Sequence, residues 1–169
     1  TCVVRTGLLL ICCTTAIKGF SQIVTKVSDP VEWVNPLMGT DSKPGLSNGN
    51  TYPAISVPWG MNYWVPQTGM MGDGWQYTYA ADKIRCFKQT HQPWPWMNDY
   101  GQFSIMPVTG KLKFNQNDRA SWFSHKAEIA NPYYYSVYLA DADVTTEITP
   151  TERAAQFRFT YPQTDSAFI

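Results

Sequence analysis

Strict alternation of aromatic and polar residues is the feature that most restricts how this chain can fold. In residues 156–161 every second side chain is aromatic and the side chains between them are polar. Successive side chains of a strand point to opposite faces, so this spacing predicts a half-buried strand. Residues 133–139 carry Tyr, Tyr, Val and Leu on one such face, and residues 144–149 are rich in β-branched Val, Thr and Ile. The second half of the chain is therefore predicted to be β-structure.

Shorter apolar segments between turn residues extend this pattern toward the N-terminus. Residues 103–108 and 111–114, separated by a Thr-Gly pair, predict a hairpin. Residues 55–57 and 62–65 predict two further strands, each bounded by prolines. Many short strands with regular turn signals are typical of an all-β fold, and the sequence predicts an antiparallel β-sandwich.

The two ends of the sequence differ from the rest. Arg5 precedes the apolar residues 8–13, small residues follow up to Ser21, and no acidic residue occurs before Asp29. This arrangement predicts a signal peptide over residues 1–21, with an apolar run too short to span a bilayer and with a lipoprotein signal as the alternative. The protein is therefore expected to be exported, to the periplasm or to the extracellular side of the outer membrane, and not to be a transmembrane protein.

The last residues form another apolar segment, and a strand that stopped there would leave backbone donors and acceptors unpaired. Residues 22–169 are therefore expected to be one β-sandwich domain that is incomplete at its C-terminus. The chain has 13 basic and 13 acidic residues, and loss of Arg5 and Lys18 with the signal peptide leaves a net charge near −2. This balance argues against a nucleic-acid partner.

Few residues suit a metal site or a disulfide. Cys86 is the one cysteine after the signal peptide, and its apolar surroundings predict a small buried side chain. The two histidines, His91 and His125, lack ligand-like spacing to it or to a carboxylate. His125, beside a lysine in a polar stretch, is expected to be a solvated surface residue.

Three Gly- or Pro-rich segments between the predicted strands have the composition of binding loops, namely residues 39–50, 69–74 leading into Trp75, and 90–101. The last segment combines His91, Trp94 and Asp99 with a second Trp, a Tyr and two prolines. Sugars need this mixture, because their C–H faces stack on aromatic rings while their hydroxyls bond to carboxylates, amides and imidazole. The alternative is that the tryptophans close the end of the sandwich and His91 is structural.

The sequence offers no nucleophile or acid/base pair for catalysis. It contains no Gly-x-Ser-x-Gly motif. Its carboxylates at Asp141, Asp143, Glu147 and Glu152 lie beside predicted turns or on strand faces, where surface charges are common. We expect the catalytic groups to lie outside this chain.

A series of motifs in order along the chain resembles the opening of family 92 glycoside hydrolases, the calcium-dependent exo-α-mannosidases common in gut Bacteroidetes. The motifs are WVNPLMGT (residues 33–40), NTYPAISVPWGM (50–61), GWQY (74–77), TH (90–91), DYG (99–101), IMP (105–107) and EITPTER (147–153). Together they cover nearly everything after residue 30.

The resemblance implies that the N-terminal β-sandwich packs on a larger, C-terminal (α/α)₆ barrel. That missing domain would hold the catalytic acid and base and most ligands of a calcium ion. The activity implied is hydrolysis of terminal α-linked mannose from glycans with inversion, with α-1,2 linkages expected first. Matched position by position, Trp75, His91 and Asp99 are expected to contact the sugar. Trp94 joins them from a stretch that is smaller and richer in Ser and Gly in the family.

Two other functions remain open at this point. The first is a carbohydrate-binding β-sandwich module without catalysis, and the second is a structural surface protein. The second would leave the polar and aromatic residues of 90–101 without a purpose.

Overall fold

The computed structural model describes residues 29–41, 51–69, 76–90 and 103–169. The predicted signal peptide lies outside these ranges. Within them, helix is limited to a short α-helix at Gln116–Arg119 and 3₁₀ turns at Pro30–Trp33 and His125–Ala127. The remaining elements are the strands β1 (Tyr63–Gln67), β2 (Lys83–Ile84), β3 (Cys86–Thr90), β4 (Ser104–Ile105), β5 (Val108–Thr109), β6 (Ser121–Trp122), β7 (Glu128–Asn131), β8 (Tyr134–Leu139), β9 (Val144–Pro150), β10 (Ala155–Thr160) and β11 (Ala167–Phe168).

The strands β7 to β10 form an antiparallel sheet in the order β10-β9-β8-β7. Alternate residues of β8 are buried, as the sequence predicted, and the predicted strand β9 shows the same alternation. Short turns join the strands, and Asp143 in the β8–β9 turn adopts a φ of 52°. Asp is one of the few non-glycine residues that tolerate this left-handed region. The side chain of Asp143 accepts a hydrogen bond from Tyr138 Oη at 2.7 Å, which supports the turn.

A second antiparallel sheet has the order β1-β3-β4. Its first strand continues through Pro66, whereas the sequence predicted that the strand would end there. Proline has no N–H to donate to a neighbouring strand, so within sheets it is tolerated mainly in edge strands. The strand β1 lies at the edge of this sheet. Proline was therefore a weaker boundary signal than the sequence suggested.

The two sheets pack face to face through aromatic side chains. Trp64 of the three-stranded sheet meets Phe157 of the four-stranded sheet edge to face, with 5.0 Å between ring centroids. Phe87 likewise contacts Tyr135 at 6.2 Å and Phe157 at 6.4 Å. Both Phe87 and Tyr135 are fully buried. This arrangement confirms the predicted all-β, antiparallel sandwich.

The predicted hairpin over residues 103–114 is wrong. The strand β4 pairs with β3, and β5 pairs with β11 in the register Ala167↔Thr109 and Phe168↔Val108. The backbone N–H of Gly110 also bonds to Ser166 O at 2.9 Å. The partners of β4 and β5 are thus distant in sequence, and such tertiary pairing is not visible in the local pattern that predicted the hairpin.

Within the described ranges, no helix has the length and apolar composition needed to cross a bilayer.

Candidate functional site

The residues predicted to contact sugar are Trp75, His91, Trp94 and Asp99. All four lie outside the described residues. The structure does describe the residues that flank segments 70–75 and 91–102, and the contacts of these flanking residues show how each segment is attached to the sandwich.

The residues on the two sides of segment 70–75 are hydrogen-bonded to each other. Thr68 N donates to Gln76 O at 2.9 Å, and Thr78 N donates to Thr68 Oγ1 at 2.9 Å. The side chain of Gln67 adds a bond from Nε2 to Gly69 O at 3.1 Å. The backbone entering the segment is therefore held beside the backbone leaving it, directly next to Trp75.

The segment 91–102 is attached in a similar way at the other end of β3. Gln89 N donates to Phe103 O at 3.4 Å, and the pairs Phe87↔Ile105 and Lys88↔Ser104 join β3 to β4. The hydroxyl of Thr90, the residue before His91, lies 2.7 Å from Tyr52 Oη. Both hydroxyls are buried, so the point where this segment leaves the sheet is fixed.

The two segments leave the sheet at opposite ends. In the β1–β3 register Tyr63 pairs with Thr90, whereas Gln67 pairs with Cys86. Four residue steps separate these pairs, about 13 Å along a strand. The described residues therefore do not by themselves bring the surroundings of Trp75 and His91 together, and a shared pocket stays a prediction.

Residues 39–41 connect the two ends through their backbone. Gly39 O accepts from Thr51 N at 3.4 Å, next to Tyr52, and Thr40 O accepts from Tyr79 N at 3.0 Å. Thr40 is completely buried, so this connection belongs to the interior of the domain.

A buried carboxylate lies behind the residues that follow Trp75. The Glu128 side chain is 0% exposed. It accepts from Tyr135 Oη at 2.6 Å and from Tyr77 Oη at 3.2 Å, and it lies 2.5 Å from His125 Nδ1. Burial, more than the charge of Glu128, raises the pKa of Tyr77 and Tyr135, so both phenols keep the proton that they donate. We call these four residues the Glu128 cluster.

The expectation that His125 is a solvated surface residue holds only in part, because its side chain is 27% exposed but makes specific contacts. Its ring stacks on Tyr79 with 3.9 Å between centroids and an interplanar angle of 4°, and the edge of Phe123 lies 5.1 Å away. His125 Nε2 lies 2.7 Å from Tyr79 O, and Nδ1 lies against Glu128. A carbonyl and a carboxylate are both acceptors, so each ring nitrogen of His125 faces a hydrogen-bond acceptor. The sequence did not indicate these contacts, because the residues that contact His125 come from separate segments of the chain.

A cleft of about 540 Å³ opens beside this stacked pair. Its lining is Asn35, Leu37, Gly39, Asp41 and Tyr79. Tyr79 is 39% exposed, so part of its ring borders solvent while His125 covers one face. Two residues that line the cleft, Gly39 and Asp41, flank the buried Thr40, whose carbonyl oxygen accepts the hydrogen bond from Tyr79 N.

The carboxylates that the sequence assigned to surfaces and turns have structural partners. Asp141 accepts from Trp122 N at 2.8 Å. Glu147 accepts from the guanidinium of Arg158 through two bonds and from Tyr134 Oη at 2.6 Å. The Arg158 bonds lower the pKa of Glu147 to about 2. The outward face of the four-stranded sheet thus carries an ion pair between Glu147 and Arg158, and Tyr134 donates a further hydrogen bond to it.

Metal ligands do not cluster in the part of the chain that the structure describes, where no three His, Cys, Asp or Glu side chains come together. Cys86 is 1% exposed, which confirms the prediction of a small buried side chain. Burial raises the pKa of its thiol, and Sγ lies 3.1 Å from Gln67 Oε1.

Comparison with known proteins relates this fold to enzymes that act on glycans. Residues 33–169 match the family defined as the glycosyl hydrolase family 92 N-terminal domain. A glycosidase of Arthroderma benhamiae, described as secreted and uncharacterized, is 25% identical over 145 residues, which cover 82% of this chain and 18% of that protein.

Two solved structures from Bacteroides thetaiotaomicron are similar over most of this chain. An inverting mannosidase of family 92 is 51% identical, with a TM-score of 0.78, and the match covers 84% of this chain and 19% of the mannosidase. An α-mannosidase of the same family, solved with mannoimidazole, is 34% identical with a TM-score of 0.68, covering 81% of this chain and 19% of the other. The chain therefore spans about a fifth of the length of these relatives.

Proposed function

Because the chain belongs to glycosyl hydrolase family 92, matching its N-terminal domain, we propose that it is part of an exo-acting α-mannosidase that hydrolyses terminal α-linked mannose from glycans with inversion. The observation that carries the proposal is the 51% identity to an inverting mannosidase over 84% of the chain. We propose α-1,2-linked mannose as the first substrate.

The catalytic acid and base are proposed to lie in the part of the enzyme that this chain does not include. The relatives are more than four times as long as this chain, since the match covers 81–84% of this chain but 19% of theirs. In an inverting glycosidase the acid protonates the glycosidic oxygen while the base activates water on the opposite face of the sugar, with about 6.5–9.5 Å between the two carboxyl groups. The (α/α)₆ barrel of the family is the proposed location of both.

The N-terminal domain is proposed to supply loop residues to the mannose pocket. The hydrogen bonds at Thr68 and Gln76, and the contact of Thr90 with Tyr52, support this role because they fix the ends of the two segments. A rigid sheet that holds aromatic and polar loops provides the stacking surfaces and hydroxyl partners that a sugar needs. Trp75, His91, Trp94 and Asp99 are the proposed sugar contacts.

Calcium is proposed as a cofactor of the whole enzyme only. The described residues bring no three His, Cys, Asp or Glu side chains together. Hard oxygen ligands from the missing domain would hold the ion. Export is proposed from the signal-like residues 1–21 and by analogy with the Arthroderma benhamiae glycosidase described as secreted. The proposed destination is the periplasm or the extracellular side of the outer membrane.

The proposal is tested on the full-length enzyme with α-1,2-mannobiose as substrate. NMR of the first product should show β-mannose, the inverted anomer. Trp75→Ala should lower kcat/KM by about tenfold or more, because one stacked aromatic face is worth about 1–3 kcal/mol by analogy with base stacking. Wild-type kinetics with unchanged melting would exclude Trp75 from the pocket. Binding of mannose without any release would favour a carbohydrate-binding module instead.

A further inference from the structure

Two short contacts of the His125 ring each need a hydrogen between their atoms. Nδ1 lies 2.5 Å from Glu128 Oε2, and Nε2 lies 2.7 Å from Tyr79 O. Oxygen lone pairs face both ring nitrogens, so neither contact is attractive without a hydrogen. A neutral imidazole carries one N–H, which satisfies one of the two contacts. The other contact therefore needs one further proton, held either as the second N–H of the imidazole or as an O–H of the Glu128 carboxyl group.

The ionisable groups that face this pair do not supply the further proton. Tyr135 Oη and Tyr77 Oη donate their hydrogens to Glu128, at 2.6 Å and 3.2 Å. Burial raises the pKa of both phenols, so each keeps the hydrogen that it uses in its own bond. Lys126, which follows His125 in the 3₁₀ turn, is the charged neighbour on the same element. The further proton must therefore come from solvent, to which the 27% exposed His125 side chain has access.

The same pair attaches residues 76–79 to the sandwich. Tyr77 is 1% exposed and donates to both oxygens of the carboxyl group. Tyr79 stacks on the imidazole with 3.9 Å between centroids, and its carbonyl oxygen faces Nε2. Tyr79 N also donates to O of the buried Thr40 at 3.0 Å. The two tyrosines are thus held by contacts whose strength depends on the protons of the pair.

Opening of these contacts releases the further proton at neutral and alkaline pH. A free histidine loses its proton near pH 6.5, and a free glutamic acid loses its proton at lower pH, as the values of about 6.5 and about 4.3 for unperturbed side chains show. Above about pH 6.5 the separated side chains therefore hold one proton fewer than the closed pair. A state that binds more protons loses stability as the pH rises. The contribution of the pair is therefore complete below about pH 6.5 and declines above it.

We infer that the pair of His125 and Glu128 is a pH-sensitive attachment of residues 76–79, closed in mildly acidic medium and weakened in alkaline medium. Loss of the further proton leaves either Tyr79 O or Glu128 facing a nitrogen lone pair. The Glu128 side chain has no exposed surface, so water cannot replace the donor that it loses. Tyr79 and Asp41 line the cleft of about 540 Å³, so the attachment also fixes one wall of this cleft.

The experiment measures amide hydrogen exchange of residues 76–79 in the full-length enzyme from mildly acidic to alkaline pH, corrected for the intrinsic effect of pH on exchange. The critical variant is Glu128→Gln, because the new amide can donate to Nδ1 of a neutral imidazole while Nε2–H donates to Tyr79 O. Both contacts then form without the further proton. Glu147→Gln is the matched control, since it removes a carboxylate that also accepts from a tyrosine, on the outer face of the sheet.

In the wild type the protection of these amides should fall by up to about tenfold for each pH unit above about 6.5, because opening releases one proton. Protection in Glu128→Gln should not change with pH, and Glu147→Gln should follow the wild type. Protection of the wild type that is independent of pH would overturn the inference, and so would an equal pH dependence in Glu128→Gln. The wild-type and Glu147→Gln profiles still test the inference if Glu128→Gln does not fold.

Discussion

Glu128 and Glu147 show how far the surroundings of a single residue determine what it does. Both carboxylates accept bonds from tyrosine hydroxyls and lie near a basic side chain. The Glu128 side chain is 0% exposed, whereas Arg158, the partner of Glu147, is 73% exposed. Removing a donor from a buried acceptor costs about 1–3 kcal/mol, while an exposed ion pair contributes little. Substitutions around Glu128 should therefore affect the fold more than those around Glu147.

The prediction that belongs to single residues concerns His91 and Asp99. If they bond to sugar hydroxyls, His91→Ala and Asp99→Ala each leave a partner unsatisfied, at a cost of about 1–3 kcal/mol. We expect kcat/KM of the full-length enzyme to fall by about tenfold or more, while the melting temperature changes little. Added mannose should also protect the wild type against thermal unfolding.

The melting temperature and kcat/KM of both variants are measured together, with Tyr134→Phe as the control that removes a surface hydrogen bond. If His91 and Asp99 only brace their segment, melting should fall sharply while activity per folded molecule stays near normal. That outcome would exclude both residues as sugar contacts.

At the scale of the element, the paired strands β9 and β10 carry a pH-dependent contact. Arg158 lies directly opposite Glu147 in their register, and its two bonds lower the pKa of Glu147 to about 2. A lowered pKa in the folded state means that the contact stabilises fully above the ordinary pKa of 4.5. The stabilisation is lost as the pH falls from there toward 2, because the carboxylate becomes protonated.

We predict that Arg158→Gln lowers the thermal midpoint of the enzyme near neutral pH and that this difference shrinks as the medium is acidified below the ordinary pKa of Glu147. The effect should be small, because solvent screens the exposed guanidinium. Arg158→Lys is the matched control, since it keeps the charge but cannot form the two parallel bonds. A midpoint difference that is independent of pH would show that Arg158 acts by packing rather than through Glu147.

At the scale of the whole molecule, the domain exposes large apolar side chains. Trp59 is 97% exposed, Phe114 81% and Trp33 78%. Scattered exposed apolar residues are ordinary, but several large ones on a small domain favour association.

The acidic side chains bear on catalysis. Asp141, Asp143, Glu128 and Glu147 each accept hydrogen bonds from other groups of the domain.

We therefore predict that purified residues 22–169 neither hydrolyse α-mannosides nor remain soluble at concentrations that suit the full-length enzyme. Mannose release is measured with and without added calcium, and association is measured by light scattering. The full-length enzyme serves as the positive control. Calcium-dependent release of mannose by the isolated domain would contradict the proposal that catalysis lies in a part of the enzyme outside this chain.

The sequence alone determined the class of the fold and the family. Alternation in residues 133–139 and 156–161 predicted strands that the structure contains, because a half-buried strand imposes its period directly on the chain. The ordered motifs from WVNPLMGT to EITPTER predicted family 92, and the match over residues 33–169 confirms it. The roles of Trp75, His91, Trp94 and Asp99 stay predictions, since these residues lie outside the described ranges.

The tertiary structure decided which distant residues meet. It paired β5 with β11 instead of forming the local hairpin that the sequence predicted, and it buried Glu128 between Tyr77, His125 and Tyr135. Tyr77 and Glu128 are 51 residues apart, so no local pattern could relate them. Local period reports only which face of an element is buried, whereas hydrogen-bond partners depend on how the sheets pack. His125 follows no period, so its sequence neighbours predicted a solvated side chain, whereas its contacts with Tyr79, Phe123 and Glu128 depend on the tertiary structure.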